Sequence, residues 1–543
     1  MRRPSFVTRA LGVAAAAASF AGCSSDILEV QNKNAPVVDD LLASSVGTET
    51  LTSKLFQIAF SGQYGSTDAI WPQTLVMSTE SEATVANFGM LTRSTLPRTN
   101  IDNTFGNAVL LGNNRDYSFL TRTSRQASQA IVKLRSFQSA YTAADYQRNL
   151  AFAYFSLGYA IGNMSLIYDS AGVVTPEAPG DTVPAFSSAA QANAVALAML
   201  DTAQAAAAAA GTASNIPALW MATSANVSSA NFIRIIRSYK AKFRANLPRL
   251  ASQAGSVDWA AVRDDAANGI QSNLLIQLNQ GTGWVVSWLN QAAVGSSWHQ
   301  MPMWVIGMAD TTAAYSTWLS TAPGSRAPFL IRTLDRRFPA GETRAAQNAA
   351  TDQVQPRDTI VYLRNRLSGA DAGGGPTNGS FYDLFRFHGY RANNLVLPWP
   401  VLTQAEVDLL RAEAEYRLGN VAGALPLINR YRTRNGLPAI TSTSTTDVVP
   451  GGNACVPRTP TRTGNTFNLA CGTTYEALKY EKRMETAFTG YAVWFLDNRR
   501  WGDMISGTPL EWPVPIQESD ARGLPVRSNR NVAPATNTYG WNY

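Results

Sequence analysis

Cysteine and histidine are scarce in this chain, which has three cysteines and two histidines among its 543 residues. Protein sites for zinc, copper and iron draw largely on these two residue types. The sequence contains neither a C-x-x-C nor an H-E-x-x-H pattern, and the two histidines, His299 and His388, are far apart in the chain. We therefore expect no metal site and no bound cofactor.

The common catalytic motifs are also missing. We find no G-x-S-x-G elbow, no Walker loop and no G-x-G-x-x-G pattern after a predicted strand. A Ser/His/Asp triad would need His299 or His388, and neither histidine stands in a recognisable setting. No Lys/Arg-rich block of the kind that binds nucleic acid is present. We predict no catalytic residue and no nucleic-acid partner.

The start of the chain has the pattern of an export signal. Three arginines precede a short apolar run, "ALGVAAAAASFAG", which ends at Cys23. The run falls short of the roughly 20 apolar residues of a membrane span, and a basic start with such a run is typical of a secretory signal peptide. Residues 20–23 resemble a bacterial lipobox, in which Phe20 departs from the usual Leu. We predict a signal peptide over residues 1–22 and lipid attachment at Cys23; the alternative is a plain signal peptide that leaves a free thiol.

The two other cysteines bracket a polar loop. Cys455 and Cys471 enclose "VPRTPTRTGNTFNLA", which is rich in Thr, Pro, Asn and Gly. In an oxidising compartment such a pair is typical of a disulfide, and closing a loop of about 15 residues stabilises a fold by roughly 3 kcal/mol on the chain-entropy model. Two free thiols are the alternative.

Most of the remaining sequence predicts amphipathic helices. The clearest case is "AEVDLLRAEAEYRLGNVAGALPLINRYRTRNGLP", 405–438, where two apolar stripes flank a corner at Gly419-Asn420. This layout is that of a tetratricopeptide-type helix pair. One such pair cannot bury its own apolar face, so further pairs must stack on it. We predict a mostly α fold of stacked helix pairs with long loops and a few short strands, in a single ectodomain over residues 23–543.

Three segments resemble the SusD/RagB family of outer-membrane lipoproteins. The helix pair resembles the family's L-x-x-AEA-x-x-R-x-G segment and the V-R-x-R-x-G-L-P ending. "YEKRMETAFTGYAVWFLDNRRWGD", 480–503, resembles its C-terminal signature, E-R-R-x-E-x-x-x-E-G followed by D-L-R-R-W-G. "CSSDILEVQNKNAP" resembles the start of the mature chain in members of this family. The signature departs from the family pattern at Lys482, Thr489, Ala492 and Asn498, and by one inserted residue between Gly490 and Asp497.

The resemblance implies a non-catalytic role at the cell surface. A member of this family is expected to capture an oligosaccharide or another bulky nutrient and to deliver it to a partner TonB-dependent outer-membrane barrel of the SusC type. It also implies an outer-membrane location through the lipid anchor. Two other functions stay open at this point: a helix-repeat scaffold lipoprotein that binds a protein partner, and a secreted glycoside hydrolase.

Sugar-binding surfaces use aromatic faces together with a few polar side chains. Segment 283–318 holds five of the thirteen tryptophans. Trp298 and His299 lie there among Gly and Ser, and Trp304 follows, so these three are predicted ligand residues; core packing is the alternative for each tryptophan. Segment 86–100 is predicted to form a second wall with its own candidate residues, Asn87, Phe88, Arg93 and Asn100. We assign these loops to the part of the ectodomain over residues 23–320, and the signature to residues 321–543.

Two carboxylate pairs need an interpretation. Glu481 and Glu485 are one helical turn apart in the signature, where we expect them to meet Arg499, Arg500 or Arg432 as framework ion pairs. The alternative, a glycosidase acid/base pair, needs two carboxyls about 5–10 Å apart across an open cleft, and neighbouring arginines would lower both pKa values. Glu80 and Glu82 are expected in a solvated loop or, by the resemblance, near the ligand surface.

Overall fold

The computed structural model describes residues 38–83, 86–178, 183–289, 299–349, 361–366, 379–387, 389–392 and 394–542. The predicted signal peptide, Cys23, Trp298 and His388 lie outside these residues. For Asn87 and His299 only the backbone is described.

Helices dominate the described chain, as the sequence predicts. In chain order they are α1 (Val38–Leu41), α2 (Ser45–Tyr64), α3 (Ile70–Met77), α4 (Met90–Ser94), α5 (Leu111–Ser136), α6 (Ala143–Ile167), α7 (Ala189–Ala210), α8 (Ala218–Met221), α9 (Ser229–Ala245), α10 (Trp259–Ala267), α11 (Met303–Ile306), α12 (Ala314–Ser320), α13 (Arg344–Ala349), α14 (Gly389–Ala392), α15 (Gln404–Arg417), α16 (Val421–Arg434), α17 (Thr474–Thr486), α18 (Val493–Trp501) and α19 (Ile516–Asp520).

The strands are short and form two-stranded antiparallel pairs. They are β1 (Glu82–Ala83), β2 (Ser170–Gly172), β3 (Phe186–Ser188), β4 (Leu274–Leu278), β5 (His299–Gln300), β6 (Leu363–Asn365), β7 (Tyr382–Leu384), β8 (Leu397–Leu402), β9 (Arg458–Thr463) and β10 (Thr466–Cys471). The pairs are β1–β5, β2–β3, β4–β8, β6–β7 and β9–β10.

The long helices stack in a row, which confirms the predicted fold class. Along the row α2 packs on α5, α5 on α6, α6 on α7, α7 on α9, α9 on α10 and α10 on α15, while α15 packs on both α16 and α17. Glycines in α6 permit the neighbouring helices to approach closely at the centre of this row. A Cβ added at Gly158 would lie 2.8 Å from Leu200 Cγ, and one at Gly162 would lie 2.2 Å from the Phe243 ring.

Polar residues fix where these helices begin. The side chains of Thr142, Ser188, Asp258 and Thr403 each accept a hydrogen bond from a backbone N–H in the first turn of the following helix. Between α15 and α16, Gly419 has a φ of +81° and the Asn420 side chain accepts from Gly423 N. The predicted corner of the helix pair is therefore correct, because the left-handed φ suits glycine.

The helix α6 lies at the middle of the main core, with most of its side chains buried. By length and apolar composition, α6 and the stretch Ala189–Ala213 would each suffice to cross a membrane. A buried core helix passes the same test, so this is weak evidence for a span. In α6 the apolar character is explained by packing on α5, α7 and α9.

A hairpin of β9 and β10 adjoins the second core cluster, which α15, α16 and α17 form. The Sγ atoms of Cys455 and Cys471 lie 1.99 Å apart, at bonding distance, with the two Cα atoms 5.7 Å apart. The pair therefore links the approach to β9 with the end of β10, as expected for the polar loop.

Candidate functional site

The signature segment forms a buried ion cluster. Glu481 and Glu485 on α17 are 0% and 1% exposed. Arg337 Nη1 lies 3.0 Å from Glu481 Oε2, an ion pair without hydrogen-bond geometry, and 3.2 Å from Glu485 Oε1. Arg432 Nη1 lies 3.4 Å from Glu481 Oε1, and Arg434 also pairs with Glu485. Both carboxyls therefore belong to the framework between α16 and α17.

Two of the expected partners are elsewhere. Arg500 pairs with Glu413 on α15 and lies 2.9 Å from Asp497 Oδ1. Arg499 donates to two backbone carbonyls, those of Leu510 at 2.8 Å and Asn246 at 2.7 Å. The expectation for Arg432 is confirmed, whereas those for Arg499 and Arg500 are wrong. Arg337, which lies 148 residues before Glu485 in the chain, fills the place instead.

Burial controls the ionisation of Glu481. The pKa of Glu481 is raised to about 7, because loss of water outweighs the attraction of Arg337 and Arg432. The two arginines lower this pKa as expected, but burial raises it by more, so the net shift is upward. A glycosidase pair must flank a substrate in an open cleft, and Glu481 and Glu485 lie in the interior instead.

The two predicted ligand segments are neighbours in the fold. Strands β1 and β5 pair with Ala83 opposite His299 and Glu82 opposite Gln300. The Ala83 N–H also donates to Ser94 Oγ at 2.9 Å, which ties β1 to α4. Segment 86–100 and the start of the described stretch at His299 therefore meet at one place on the molecule.

Aromatic exposure singles out this place. Twelve of the thirteen tryptophans are described, and all twelve are buried. Among the described residues, the exposed aromatic side chains are Phe88, at 40%, and Phe105, at 60%. The turn after Phe88 packs close to Val109, since a Cβ at Gly89 would lie 2.8 Å from Val109 Cγ2. Two free aromatic faces thus share one loop region.

Exposed polar groups lie between the two rings in the chain. Asn100, Asp102 and Thr104 are exposed, and Asp102 Oδ1 accepts from Thr104 N at 2.9 Å and from Thr104 Oγ1 at 2.8 Å. These two hydrogen bonds hold the pKa of Asp102 below its usual value. We call Phe88, Asn100, Asp102, Thr104 and Phe105 the Phe88–Phe105 surface. Apolar rings beside a carboxylate, an amide and a hydroxyl are the groups that bind sugars.

Arg93 supports this surface through hydrogen bonds on its buried side. It is only 7% exposed, and its Nε donates to Gln73 Oε1 at 3.2 Å. Its Nη1 donates to the carbonyl of Asn100 at 3.5 Å. Burial lowers the pKa of Arg93 to about 10, so the side chain stays charged at neutral pH. This position fits a residue that orients the surface rather than one that contacts a ligand directly.

The C-terminal segment holds the surface from the other side. Asn103 is buried, and its Nδ2 donates to the carbonyls of Val514 at 2.9 Å and Arg527 at 3.1 Å. The Ile101 N–H donates to Asn529 Oδ1 at 2.7 Å. Contacts from a part of the chain more than 400 residues away thus fix the loop.

Trp304 is not the exposed ring that we expected. It is 3% exposed, with ring centroids 5.3 Å from Trp318 and 5.2 Å from Trp541, and Arg326 lies over its face. Core packing, the alternative for each tryptophan, is correct for Trp304. It also holds for Trp284, Trp288 and Trp318 of the same segment. Trp298 lies outside the described residues, as do the side chains of His299 and Asn87.

Glu80 and Glu82 are not in a solvated loop, because both are 3% exposed. Glu80 Oε1 accepts from the Phe488 N–H at 2.6 Å. Glu82 is the first residue of β1, so the pair lies at the start of the strand that leads into the Phe88–Phe105 surface. In the part of the chain that the structure describes, no group of His, Cys, Asp and Glu side chains is suited to holding a metal ion.

Comparison with known proteins connects this architecture to one family. Residues 346–538 match a family model described as the SusD family. SusD superfamily proteins from Bacteroides vulgatus ATCC 8482 and Bacteroides thetaiotaomicron VPI-5482 have solved structures with TM-scores of 0.55 each, at 10% and 13% identity. Each similarity covers 90% of this chain, and 99% and 98% of theirs. Over residues 346–538 the chain matches the SusD family, and over most of its length it shares the fold of SusD superfamily structures.

A SusD-like carbohydrate binding protein from Bacteroides fragilis NCTC 9343 is similar over 88% of this chain and 98% of its own, with a TM-score of 0.54 and 12% identity. At such identities the likeness shows the fold alone. No curated protein matches the sequence. The family match takes in α15 to α18, with Glu481 and Glu485 on α17, whereas Arg337 and the Phe88–Phe105 surface precede the matched residues.

Sequence reasoning missed Phe105. The residues around it, "DNTFGNA", carry a signal that was available: Asn, Gly and Asp favour a turn, and a phenylalanine in a turn has few neighbours to bury it. Phe88 was found, because it stands between Asn87 and Gly89 in a similar setting.

Proposed function

We propose that this protein is a non-catalytic glycan-binding protein of the cell surface. It captures carbohydrate at the Phe88–Phe105 surface and delivers it to a TonB-dependent outer-membrane transporter. The observation that carries the binding site is the exposure of Phe88 and Phe105 in a chain whose other described aromatic side chains are at least partly buried. Leaving an aromatic ring in water is useful when a sugar face covers it.

Three further points support the proposal. One structural relative is a SusD-like carbohydrate binding protein. The exposed polar groups beside the two rings are those that bind hydroxyls, and Asp102 is held in its ionised, accepting form. Glu481 and Glu485, the candidate acid/base pair of the hydrolase alternative, are buried among arginines. Delivery to a transporter and attachment through Cys23 rest on the family resemblance.

Screening the purified ectodomain against a panel of polysaccharides by affinity electrophoresis tests the binding site. We expect retardation by at least one polysaccharide. We expect Phe88→Ala and Phe105→Ala each to weaken it by roughly tenfold or more, since truncating an anchor residue usually costs at least about 2 kcal/mol of binding. Because both rings are exposed, the melting temperature should stay within about 1 °C of wild type.

Leu219→Ala is the matched control, since Leu219 on α8 is 84% exposed and lies outside the surface. It should leave both binding and stability unchanged. Binding that survives the double Phe88→Ala, Phe105→Ala variant would place the site elsewhere. Turnover of a bound polysaccharide by the wild type would favour the hydrolase alternative.

A further inference from the structure

One buried carboxyl group joins the signature to the ligand surface. Glu80 follows α3, and its Oε1 accepts from the backbone N–H of Phe488 at 2.6 Å. Phe488 lies in the turn that connects α17 and α18. Two residues after Glu80, β1 begins, and β1 is tied through Ala83 to Ser94 of α4. The contact is therefore a direct link between the signature and the support of the Phe88–Phe105 surface, beside the hydrogen bond from Asn498 Nδ2 to the Ser78 carbonyl at 3.0 Å.

Left-handed backbone positions occur on both sides of this contact. Thr79, next to Glu80, has a φ of +63°, and Phe488 itself has a φ of +57°. Such φ values are unusual for any residue other than glycine, and for a β-branched threonine they are strained. Strain of this kind persists only where the surrounding structure holds it, and it gathers at functional or switching segments. The Glu80–Phe488 hydrogen bond is one of the restraints that hold it.

The carboxyl group has no cation beside it. Among the described residues, no lysine or arginine nitrogen lies within 4.0 Å of a Glu80 oxygen. Within α17 and α18, Lys482 pairs with Asp497 and Arg483 with Asp503. From other elements, Lys242 Nζ donates to the Tyr491 carbonyl at 3.1 Å and pairs with Glu406 at 2.9 Å, and Arg386 Nη1 donates to the Glu485 carbonyl at 2.7 Å. Asp116 of α5 accepts from the Tyr491 OH in the same turn. Burial therefore raises the pKa of Glu80 well above its usual value, and the Phe488 N–H only partly opposes this.

We propose that Glu80 is a positioning residue for the ligand surface, and that the neutral carboxyl group holds the turn at Phe488 and the start of β1 in the binding-competent arrangement. Ionisation would place an unpaired charge in the interior, which is costly. The arrangement is then stable at low pH and opens as the pH rises through the pKa of Glu80. The surface is thereby coupled to pH through one side chain.

Glutamine at this position is the discriminating replacement. Glu80→Gln keeps an Oε1 acceptor for the Phe488 N–H, has nearly the same shape as the neutral acid, and does not ionise. Glu80→Ala removes the acceptor and leaves a buried N–H without a partner. If Glu80 only filled space, both replacements would change the opening of these segments similarly, and Glu80 would add no pH dependence to it.

Hydrogen exchange followed by mass spectrometry between about pH 5 and about pH 9 tests this, after correction for the intrinsic exchange rate. In the wild type, we expect the opening of peptides over 79–110 and 487–492 to rise roughly tenfold or more across this range. Glu80→Gln should reduce the rise severalfold over 79–110, while the share contributed by Glu481 and Asp116, each with a pKa raised to about 7, remains. Glu80→Ala should leave both segments open at every pH. Peptides from α6, which does not contact Glu80, are the internal control.

A wild type with no pH-dependent opening of these segments would overturn the inference, as would a Glu80→Gln variant that keeps the full dependence. Should Glu80→Ala fail to fold, the comparison of wild type with Glu80→Gln still decides. The part that concerns the ligand rests on the proposed function, whereas exchange is measured without ligand. Failure of the glycan screen would therefore count against the proposed function alone.

Discussion

The change Glu485→Ala tests whether the signature is a framework. Glu485 Oε1 accepts from Arg337 Nη1 at 3.2 Å and Asn435 Nδ2 at 2.8 Å, while Oε2 accepts from Tyr362 OH at 3.0 Å and from Arg434. Truncation to alanine removes the acceptor of all four of these hydrogen bonds. Breaking a buried ion pair from one side costs roughly 3–5 kcal/mol.

The structure favours the lower part of that range. Arg337 keeps Asp335, at 2.7 Å, and Glu481, at 3.0 Å, so its charge stays partly balanced. Arg434 is partly exposed and can return to water. We therefore expect a loss of about 3 kcal/mol, a large share of the roughly 5–15 kcal/mol that stabilises a typical protein.

Urea unfolding followed by tryptophan fluorescence measures the loss as a lower midpoint at an unchanged slope. The matched control is Glu177→Ala. Its carboxylate pairs with Arg135 at 3.4 Å on the surface, where the Glu177 side chain is 63% exposed, so the loss should stay within about 1 kcal/mol. Equal losses in the two variants would refute the framework role. Glycan turnover by the wild type that disappears in a normally folded Glu485→Gln variant would make Glu485 catalytic.

Three further outcomes are expected. Because the pKa of Glu481 is raised, its neutral form favours the folded state most below about pH 4.5, and this contribution is lost as the pH rises through about 7. The urea midpoint of the wild type should therefore fall between these pH values. The midpoint of Glu481→Gln should change less over the same interval. Equal slopes against pH would contradict this. Trp304→Ala should lower stability by roughly 3–5 kcal/mol and leave glycan binding per folded molecule intact, whereas weaker binding at unchanged stability would return Trp304 to the site. Cys23→Ala should abolish labelling by a radioactive fatty acid and release the protein from membranes, and full membrane retention would exclude the lipid anchor.

The sequence was sufficient to predict the helix stack because its determinants are local. Apolar residues at three- and four-residue spacing predict α15 and α16, and Gly419 with Asn420 predicts their corner. The fold class follows, since such a pair must stack on others. The capping residue Asp258 was likewise predictable from its own position before α10.

Side-chain contacts between residues that are distant in the sequence were not predictable in this way. Trp304 is buried by Trp541, which lies near the other end of the chain, and its neighbours in sequence give no sign of that contact. Glu481 is paired by Arg337 rather than by the arginines of its own signature. Exposure and pairing depend on long-range packing, so the tryptophan-rich segment that suggested a free ring for Trp304 also fits a buried one.

The split between helices and loops also explains how one fold can carry the proposed binding surface on irregular backbone. The segment that carries the Phe88–Phe105 surface includes the short helix α4, and it is restrained from three directions: by β1 and β5, by Arg93 from α4, and by Asn103 against the C-terminal segment. A loop that is already ordered loses little conformational entropy when it binds, so more of the contact energy appears as affinity. The restraints reach the surface from the backbone and from buried side chains. Its exposed residues are therefore free to differ in sequence, and ligand choice can change without altering the helix stack.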